Sequence, residues 1–281
     1  MKFNPGKYFP PGHFYSPIVD LDFVKKYEEI IWPSQGDENI LGIDMNREGQ
    51  IELLDTRFSE YLKDFDYPME CPDQSGYYQS NGMFSGLDAR ALFVMLRTFS
   101  PKNIIEIGSG FSSLLTMNVN CRFLDSQVDV QMIEPYPPTF LEPMVKKHGT
   151  TLHKVAVQDV PIEMFGRLKE NDILFIDSAH VAKMGSDVNH LFFNVLPRLS
   201  PGVVVHMHDI FLPDEYPKNW IFEENRSWNE QYLLRAFLMF NASFKVLFGC
   251  HYAASRLKEH VIGACGANYG GGSFWMQKIS Y

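Results

Sequence analysis

The sequence has few cysteines, no excess of basic residues and no long apolar run, and each absence excludes a class of protein. Its four cysteines lie far apart without a C-x-x-C pair, which argues against a metal knuckle or a disulfide framework. With 25 basic against 34 acidic residues, the formal net charge of −9 gives no support for a nucleic-acid partner. Because no apolar run could span a bilayer and the first residues lack the apolar core of a secretory signal, we expect a cytoplasmic protein without a membrane partner.

A serine-hydrolase motif is also lacking. No G-x-S-x-G occurs, since neither Ser109 nor Ser112 has the required flanking glycines. What the chain does have is the composition of a folded globular protein, with 45% hydrophobic and 21% charged residues over 281 positions. That length allows one large domain, or one domain with an elaborated end.

A glycine-rich turn at residues 103–113, N-I-I-E-I-G-S-G-F-S-S, is the most informative stretch of the chain. Its isoleucines predict a buried strand, Gly108 and Gly110 predict a tight turn, and a helix is expected to begin near Ser112. Glycines at such a turn let the backbone approach a ligand closely, and the first N–H groups of the helix offer hydrogen bonds. This stretch therefore favours a ligand site over simple packing once its context is considered.

The context is a second apolar strand, residues 128–133, that ends at Glu134. Doubly wound folds place the carboxylate that binds ribose hydroxyls at this position, so a nucleoside-containing cofactor is predicted. Further strands are predicted at residues 152–157 and 172–176, from residue 203, and at 244–248 and 273–279. Because helical patterns alternate with these strands, we predict an α/β fold with a doubly wound, mostly parallel, seven-stranded Rossmann-like sheet.

The two ends of the chain depart from this alternation. The last two strands lack a clear crossover helix between them, which predicts a terminal antiparallel pair. Residues 1–82 are broken by many prolines and are interpreted as an irregular N-terminal cap or extension on a main domain of residues 83–281. The sequence leaves open whether the cap covers a substrate or forms a dimer surface.

The order of features resembles the class I S-adenosylmethionine-dependent methyltransferases from about residue 84 to residue 281. The motifs that carry the resemblance are E-I-G-S-G at 106–110, I-E-P at 133–135, F-I-D-S-A-H at 175–180 and the later H-M-H-D-I-F-L-P and W-N-E-Q-Y-L-L-R-A-F. They look like those of a bacterial branch of uncharacterised members. The resemblance implies S-adenosylmethionine as cofactor and a methyltransferase sheet.

The resemblance also implies roles for single residues. Gly108, Ser109 and Gly110 would face the methionine part of the cofactor, and Glu106 would lie near its amino group. Glu134 would bind the ribose hydroxyls. The adenine would lie near Gln158 and Asp159, which follow the predicted third strand.

Polar residues follow the fourth and fifth predicted strands, which lie side by side in this fold. Asp177, His208 and Asp209 are therefore expected to converge at the carboxyl edge of the sheet, near the methyl group. Catechol-type O-methyltransferases, which the chain resembles distantly, hold a divalent cation with acids at these places. Because His208 replaces one acid, Mn²⁺, Fe²⁺ or Zn²⁺ would suit the site better than Mg²⁺. The alternative is that both aspartates bind the methionine end of the cofactor or neighbouring loops.

His180 lies three residues after Asp177, where the catechol-type relatives place a lysine that removes the hydroxyl proton. Since histidine titrates near neutral pH, His180 is a candidate base, and we interpret it with Asp177 as catalytic. A helix cap is the alternative role for this histidine.

These observations predict a methyltransferase that acts on a hydroxyl of a small-molecule or sugar-like acceptor. That a divalent metal assists the reaction is a further hypothesis. The main rival is an NAD-dependent oxidoreductase, although Ser113 stands where that fingerprint has glycine or alanine. A metal-dependent cephalosporin-hydroxylase-like protein and a non-catalytic cofactor-binding protein also stay open. So does a homo-oligomeric state.

Overall fold

The computed structural model describes residues 9–34, 40–71 and 73–280. Its strands are β1 Asn103–Ile107, β2 Asp129–Ile133, β3 Thr151–His153, β4 Ile173–Ile176, β5 Val204–Met207, β6 Phe244–Gly249 and β7 Phe274–Lys278. They form one seven-stranded sheet in the spatial order β3-β2-β1-β4-β5-β7-β6. Strands β1 to β5 are parallel to one another, and β7 is antiparallel to both β5 and β6. The predicted Rossmann-like sheet with an antiparallel end is confirmed.

Helices connect and cover the strands. The α-helices are α1 Leu21–Lys26, α2 Glu28–Ile31, α3 Arg47–Leu53, α4 Ser59–Tyr61, α5 Gly86–Phe99, α6 Phe111–Phe123, α7 Leu141–His148, α8 Asp187–His190, α9 Lys218–Phe222, α10 Glu230–Leu238, α11 Cys250–Arg256 and α12 Lys258–Cys265. Shorter 3₁₀ and π-helical segments occupy Leu54–Phe58, Leu62–Asp64, Val157–Asp159, Ile162–Arg167, Leu191–Val195 and Leu196–Arg198. No helix of the described residues is long and apolar enough to cross a membrane.

The core lies along the central strands. All four residues of β4 are buried, and since neighbouring side chains of a strand point to opposite faces, both faces of the sheet are covered there. Helix α5 is buried at every position from 87 to 96, which fits a helix enclosed between the sheet and other elements. The sheet is therefore a rigid base for the loops at its carboxyl edge.

Two predictions about the strands are wrong. Helices α11 and α12 lie between β6 and β7, where the sequence showed no clear crossover helix. Each helix is short, and Leu257 separates the two. Neither therefore shows the long helical repeat of apolar residues by which a helix is recognised in a sequence. Strand β3 ends at His153, because it is an edge strand and pairs with β2 only as far as Ile133. Residues 157–159, where the predicted strand was to end, form a 3₁₀ turn instead.

The N-terminal region contributes to the core. Leu54 and Phe58 are fully buried, and the Phe58 ring lies 4.9 Å from the Phe248 ring on β6. The side-chain oxygen of Gln50 accepts a hydrogen bond from the Gly249 N–H at 3.0 Å. Residues 50–58 therefore pack against the antiparallel edge of the sheet, and the boundary near residue 82 stays a prediction.

Candidate functional site

A cleft of about 840 Å³ lies at the carboxyl edge of the sheet. Ligands of open α/β sheets bind at this edge, beyond the ends of the parallel strands. The cleft is bordered by the turn after β1, the end of β2, the segments that follow β4 and β5, and the loop before α10. Its polar and aromatic lining includes Ser109, Ser112, Glu134, Asp177, Ser178, His180, His208, Asp209, Phe84, Phe111, Phe140, Trp220, Arg226 and Trp228.

The turn after β1 is fixed by a close approach between two loops. Gly108 has φ +77°, and a Cβ atom there would lie 1.7 Å from the carbonyl oxygen of Asp177. The Asp177 N–H in turn donates to the Ile107 carbonyl at 2.8 Å. Only glycine fits at position 108, because both the backbone angle and the space exclude a side chain. A Cβ at Gly110 would meet open space, so this glycine leaves room on the cleft side of the turn.

Glu106 is a buried carboxyl group beneath this turn, with a relative exposure of 1%. The Ser112 hydroxyl donates to its Oε1 at 2.6 Å, and its Oε2 has no hydrogen-bond partner among the described residues. Burial raises the pKa of Glu106 to about 8, against the opposing effect of the Ser112 and Ser113 hydrogen bonds. A buried carboxyl group with one unpaired oxygen is suited to bind a cation such as an ammonium group.

Glu134 lies at the wall of the cleft, and backbone N–H groups hold its carboxylate there. Its Oε2 accepts from the Ser109 N–H at 3.3 Å, and its Oε1 accepts from the Tyr136 N–H at 2.7 Å. Its role in binding ribose hydroxyls stays a prediction. The residues predicted beside the adenine, Gln158 and Asp159, do not line the cleft, and the Gln158 amide donates to the Gly185 carbonyl at 2.9 Å.

Two aspartates and a histidine come together at the ends of β4 and β5. His180 Nε2 lies 3.3 Å from Asp177 Oδ1 and 3.5 Å from Asp209 Oδ2. One ligand atom from each residue lies within 4.8 Å of the other two, so the group could hold a metal ion. Both His180 and Asp209 have left-handed backbones, with φ of 57° and 56°. Such angles are uncommon for residues other than glycine and are concentrated at functional sites.

Glu230, at the start of α10, holds His180 from the opposite side. Its Oε2 lies 2.9 Å from His180 Nδ1, and the N–H groups of Asn229 and Glu230 both donate to the His180 carbonyl. Glu230 is 1% exposed. A carboxylate on the second ring nitrogen fixes the orientation and tautomer of a histidine, as it does behind many metal-binding histidines.

The charged side chains of this group shift one another's pKa values toward the ionised forms. Burial acts to lower the pKa of His180, but its bonds to Asp177 and Glu230 outweigh this and raise the pKa to about 10. Burial acts to raise the pKa of Asp177, but the positive charge of His208 and the bond from His180 hold it at about 2. His180 therefore carries a proton at neutral pH in this arrangement. Its predicted role as a base, which stays a prediction, would require that proton to leave first.

His208 lies beside the group but is not one of the three residues that converge. Its Nε2 is 3.7 Å from Asp209 Oδ1, and its Nδ1 is 3.4 Å from the Ser273 hydroxyl. The His208 ring also packs against Phe84, with 5.3 Å between ring centroids. The structure thus places His180 closer to both aspartates than the sequence suggested, and a ligand role for His208 stays a prediction.

Two comparisons of the sequence bear on this cleft. Residues 105–210 match the sequence model of a family described as "Methyltransferase domain". An uncharacterised protein of Archaeoglobus fulgidus is 42% identical over 177 residues, which are 60% of this chain and 77% of that protein. The chain belongs to the class I S-adenosylmethionine-dependent methyltransferase family.

Solved methyltransferase structures are more distant. The methyltransferase PaMTH1 of Podospora anserina, in its SAH-bound form, is 18% identical, with 100% of each chain covered and a TM-score of 0.46. The O-methyltransferase TomG of Streptomyces achromogenes, in complex with SAM, is 14% identical, with 92% of this chain and 96% of that chain covered and a TM-score of 0.45. The family assignment depends on the sequence matches instead.

The sequence assigned no role to three residues that contribute to the site of this methyltransferase. Glu230 stands 50 positions after His180, and Arg226 and Trp228 lie in the loop before it. The loop before α10 is rich in aromatics, but that composition does not predict any individual contact. A signal for Glu230 was present only in the W-N-E-Q motif, which does not indicate what the glutamate contacts.

Proposed function

We propose that this methyltransferase binds S-adenosylmethionine in the cleft and methylates a hydroxyl group of a small-molecule or sugar-like acceptor with the help of a divalent cation. The observation that carries the proposal is the position of the Asp177, His180 and Asp209 group in the same cleft as the glycine turn. No nucleic acid or membrane takes part in the proposed reaction.

The cofactor fits the features on the β1 and β2 side of the cleft. The unpaired Oε2 of Glu106 suits the ammonium group of a methionine, and Glu134 is fixed where ribose hydroxyls are expected. Gly110 leaves open space at the turn, so the backbone is accessible to a ligand. When bound, the cofactor supplies a methyl group on a positively charged sulfur.

The donor set on the β4 and β5 side fits a divalent cation. Asp177 and Asp209 would supply carboxylate oxygens and His180 its Nε2, with Glu230 on the other ring nitrogen. A mixed oxygen and nitrogen set suits Mn²⁺, Fe²⁺ or Zn²⁺ better than Mg²⁺. A bound cation would lower the pKa of an acceptor hydroxyl and orient it. His180 would have to release its proton for this binding, because a histidine binds a metal only through an unprotonated ring nitrogen.

The residues of the chain mainly align the two reactants. Methyl transfer is an in-line displacement, so most of the rate enhancement comes from holding the acceptor oxygen, the methyl carbon and the leaving sulfur in register. The hydrogen bond from the Asp177 N–H to the Ile107 carbonyl joins the end of β1 to the segment after β4, which fixes the cofactor side relative to Asp177. Trp220 and Trp228 line the cleft, where they would reduce access of water.

Calorimetric titration with S-adenosylhomocysteine, with and without Mn²⁺ and with NAD as a control, tests the proposal. We expect micromolar binding of the homocysteine compound, loss of that binding in Glu134→Ala, and a separate Mn²⁺ signal that Asp209→Asn removes. Binding of NAD without binding of the homocysteine compound would favour the oxidoreductase alternative. Failure to bind Mn²⁺ alongside normal cofactor binding would restrict the proposal to metal-independent methyl transfer.

A further inference from the structure

Arg226 is the one arginine or lysine among the cleft-lining residues that the structure describes. The carboxylates in the same lining are those of Glu134, Asp177 and Asp209, all at the ends of the central strands. His180 and His208 lie beside Asp177 and Asp209 and offset their charge. Arg226 lies on a different loop and is always charged, so an anionic group on a ligand would be attracted to it. The loop before α10 therefore gives the cleft a cationic corner.

The guanidinium of Arg226 packs against two indole rings, which meet each other edge to face. Its Cζ lies 4.1 Å from the ring centroid of Trp220 and 4.4 Å from that of Trp228. The backbone N–H of Arg226 donates to the Trp220 carbonyl at 2.8 Å. Stacking of this kind restricts the side chain and lowers the entropy cost of binding a ligand.

Part of the guanidinium is paired and part is not. The Nε of Arg226 donates to Glu224 Oε2 at 2.7 Å, and Nη2 contacts the same oxygen. Glu224 does not line the cleft, so it orients the arginine from a position outside the cleft. A guanidinium carries five N–H donors, and Nη1 has no hydrogen-bond acceptor within the described ranges. The side chain is 30% exposed and lines the cleft, so it is accessible to a ligand.

Trp228 connects this arginine to the Asp177 group. The Trp228 ring lies 4.3 Å from the His180 ring as well as against Arg226. One indole therefore contacts both His180 and Arg226, so an acceptor bound beside His180 would lie within one indole ring of the guanidinium.

We propose that the acceptor carries an anionic group, either a carboxylate or a phosphate, and that Arg226 binds this group through its free donors. The inference depends on the proposed function for the position of the hydroxyl. Planar two-point contact with an oxyanion is the interaction for which arginine is best suited. The carboxylate of the cofactor is the competing ligand for the same donors, so the experiment measures binding of the cofactor separately.

The test uses pairs of hydroxyl compounds that differ in charge: D-glucuronate with D-glucose, 3,4-dihydroxybenzoate with 3,4-dihydroxybenzamide, and glycerol 3-phosphate with glycerol. Each is titrated calorimetrically into the full-length protein loaded with S-adenosylhomocysteine. We expect at least one anion to bind at least tenfold more tightly than its neutral counterpart, and the preferred pair to distinguish carboxylate from phosphate. Arg226→Gln should reduce that preference to less than twofold, and Arg226→Lys should keep part of it.

Arg235→Gln is the matched control, because Arg235 is an exposed arginine on α10 that does not line the cleft. It should keep the full preference for the anion. The proposal is wrong if the native protein discriminates none of the three pairs, if Arg226→Gln keeps the preference, or if Arg226→Gln weakens S-adenosylhomocysteine binding by more than twofold. If the native protein does not bind S-adenosylhomocysteine, the proposed function fails instead, and the same titrations without it still decide whether Arg226 binds anions.

Discussion

The two sides of the cleft are built in different ways. On the cofactor side, the turn after β1 and the acid after β2 directly follow their strands, and backbone N–H groups hold the Glu134 carboxylate. On the acceptor side, His180 and Asp209 have left-handed backbones, and Glu230 reaches His180 from 50 residues away. The first arrangement is local in sequence, and the second exists only when distant segments have folded together.

This difference separates the consequences of mutation on the two sides. A change in the turn after β1 acts on the backbone itself, because two loops are in van der Waals contact there. A change in the Asp177 group acts on orientation and charge while the sheet beneath it stays packed. We therefore expect losses of folding on the cofactor side and losses of chemistry on the acceptor side.

Gly108→Ala should have the largest effect. The new methyl group would collide with the Asp177 carbonyl oxygen at a backbone angle of φ +77°, so the free energy of unfolding should fall by at least about 3 kcal/mol and cofactor binding should be lost. Gly110→Ala is the matched control, since its Cβ meets open space. It should change the free energy of unfolding by less than about 1 kcal/mol while weakening S-adenosylhomocysteine binding. Urea unfolding and calorimetry measure both, and equal stability of the two variants would contradict the close approach.

Glu230→Gln should weaken Mn²⁺ binding by roughly 10- to 100-fold, which is typical when the partner of a metal-binding histidine is changed. The substitution keeps the size of the side chain but removes the charge that fixes His180 Nδ1. Binding of S-adenosylhomocysteine should stay within twofold, because Glu230 is not in the cofactor half of the cleft. Glu215→Gln is the control, because Glu215 is a partly buried acid that accepts from the Tyr232 hydroxyl outside the cleft. If Glu230→Gln left the affinity for Mn²⁺ unchanged, Glu230 would have no role in metal binding.

The same contrast explains what the sequence could predict. The strands, the glycine turn and Glu134 were predictable because each is a local pattern of apolar period, turn residue and strand end. The convergence of Asp177 and Asp209 followed from neighbouring parallel strands. The roles of Glu230 and Arg226 did not follow, because no local pattern indicates which loop will lie against His180. The helices between β6 and β7 were missed because each is only about two turns long.

Binding of the cofactor should change the protonation state of Glu106. Since burial raises its pKa to about 8, the carboxyl group is mostly protonated at pH 7, and pairing with an ammonium group should ionise it. Titration of the protein with S-adenosylhomocysteine at pH 7, in buffers of different ionisation enthalpy, should therefore show release of about one proton. Glu106→Gln should release none and should bind roughly tenfold more weakly. Equal proton release by both proteins would exclude this role for Glu106.

The pH dependence of the free energy of unfolding, measured without ligand, is a second test of the Glu106 pKa. A carboxyl group whose pKa is higher in the folded state contributes stability that is fully present below pH 4.5 and is lost as the pH rises through about 8. The free energy of unfolding of the native protein should therefore fall relative to that of Glu106→Gln between these pH values, by at most roughly 5 kcal/mol. Parallel pH dependences of the two proteins would show that the group titrates normally.

The smallest effect is expected at Gln158, and it tests the boundary of the cofactor half. The resemblance placed this residue near the adenine, but β3 ends early, and the Gln158 amide instead donates to the Gly185 carbonyl outside the cleft. Gln158→Ala should therefore change the dissociation constant of S-adenosylhomocysteine by less than twofold, and Asp159→Asn should behave alike. A tenfold loss in either variant would mean that the adenine lies beyond the cleft as it is bounded here, against the 3₁₀ turn of residues 157–159. In that case the acid after β2 would fix only the ribose, and the position of the base would depend on a segment whose path the sequence did not predict.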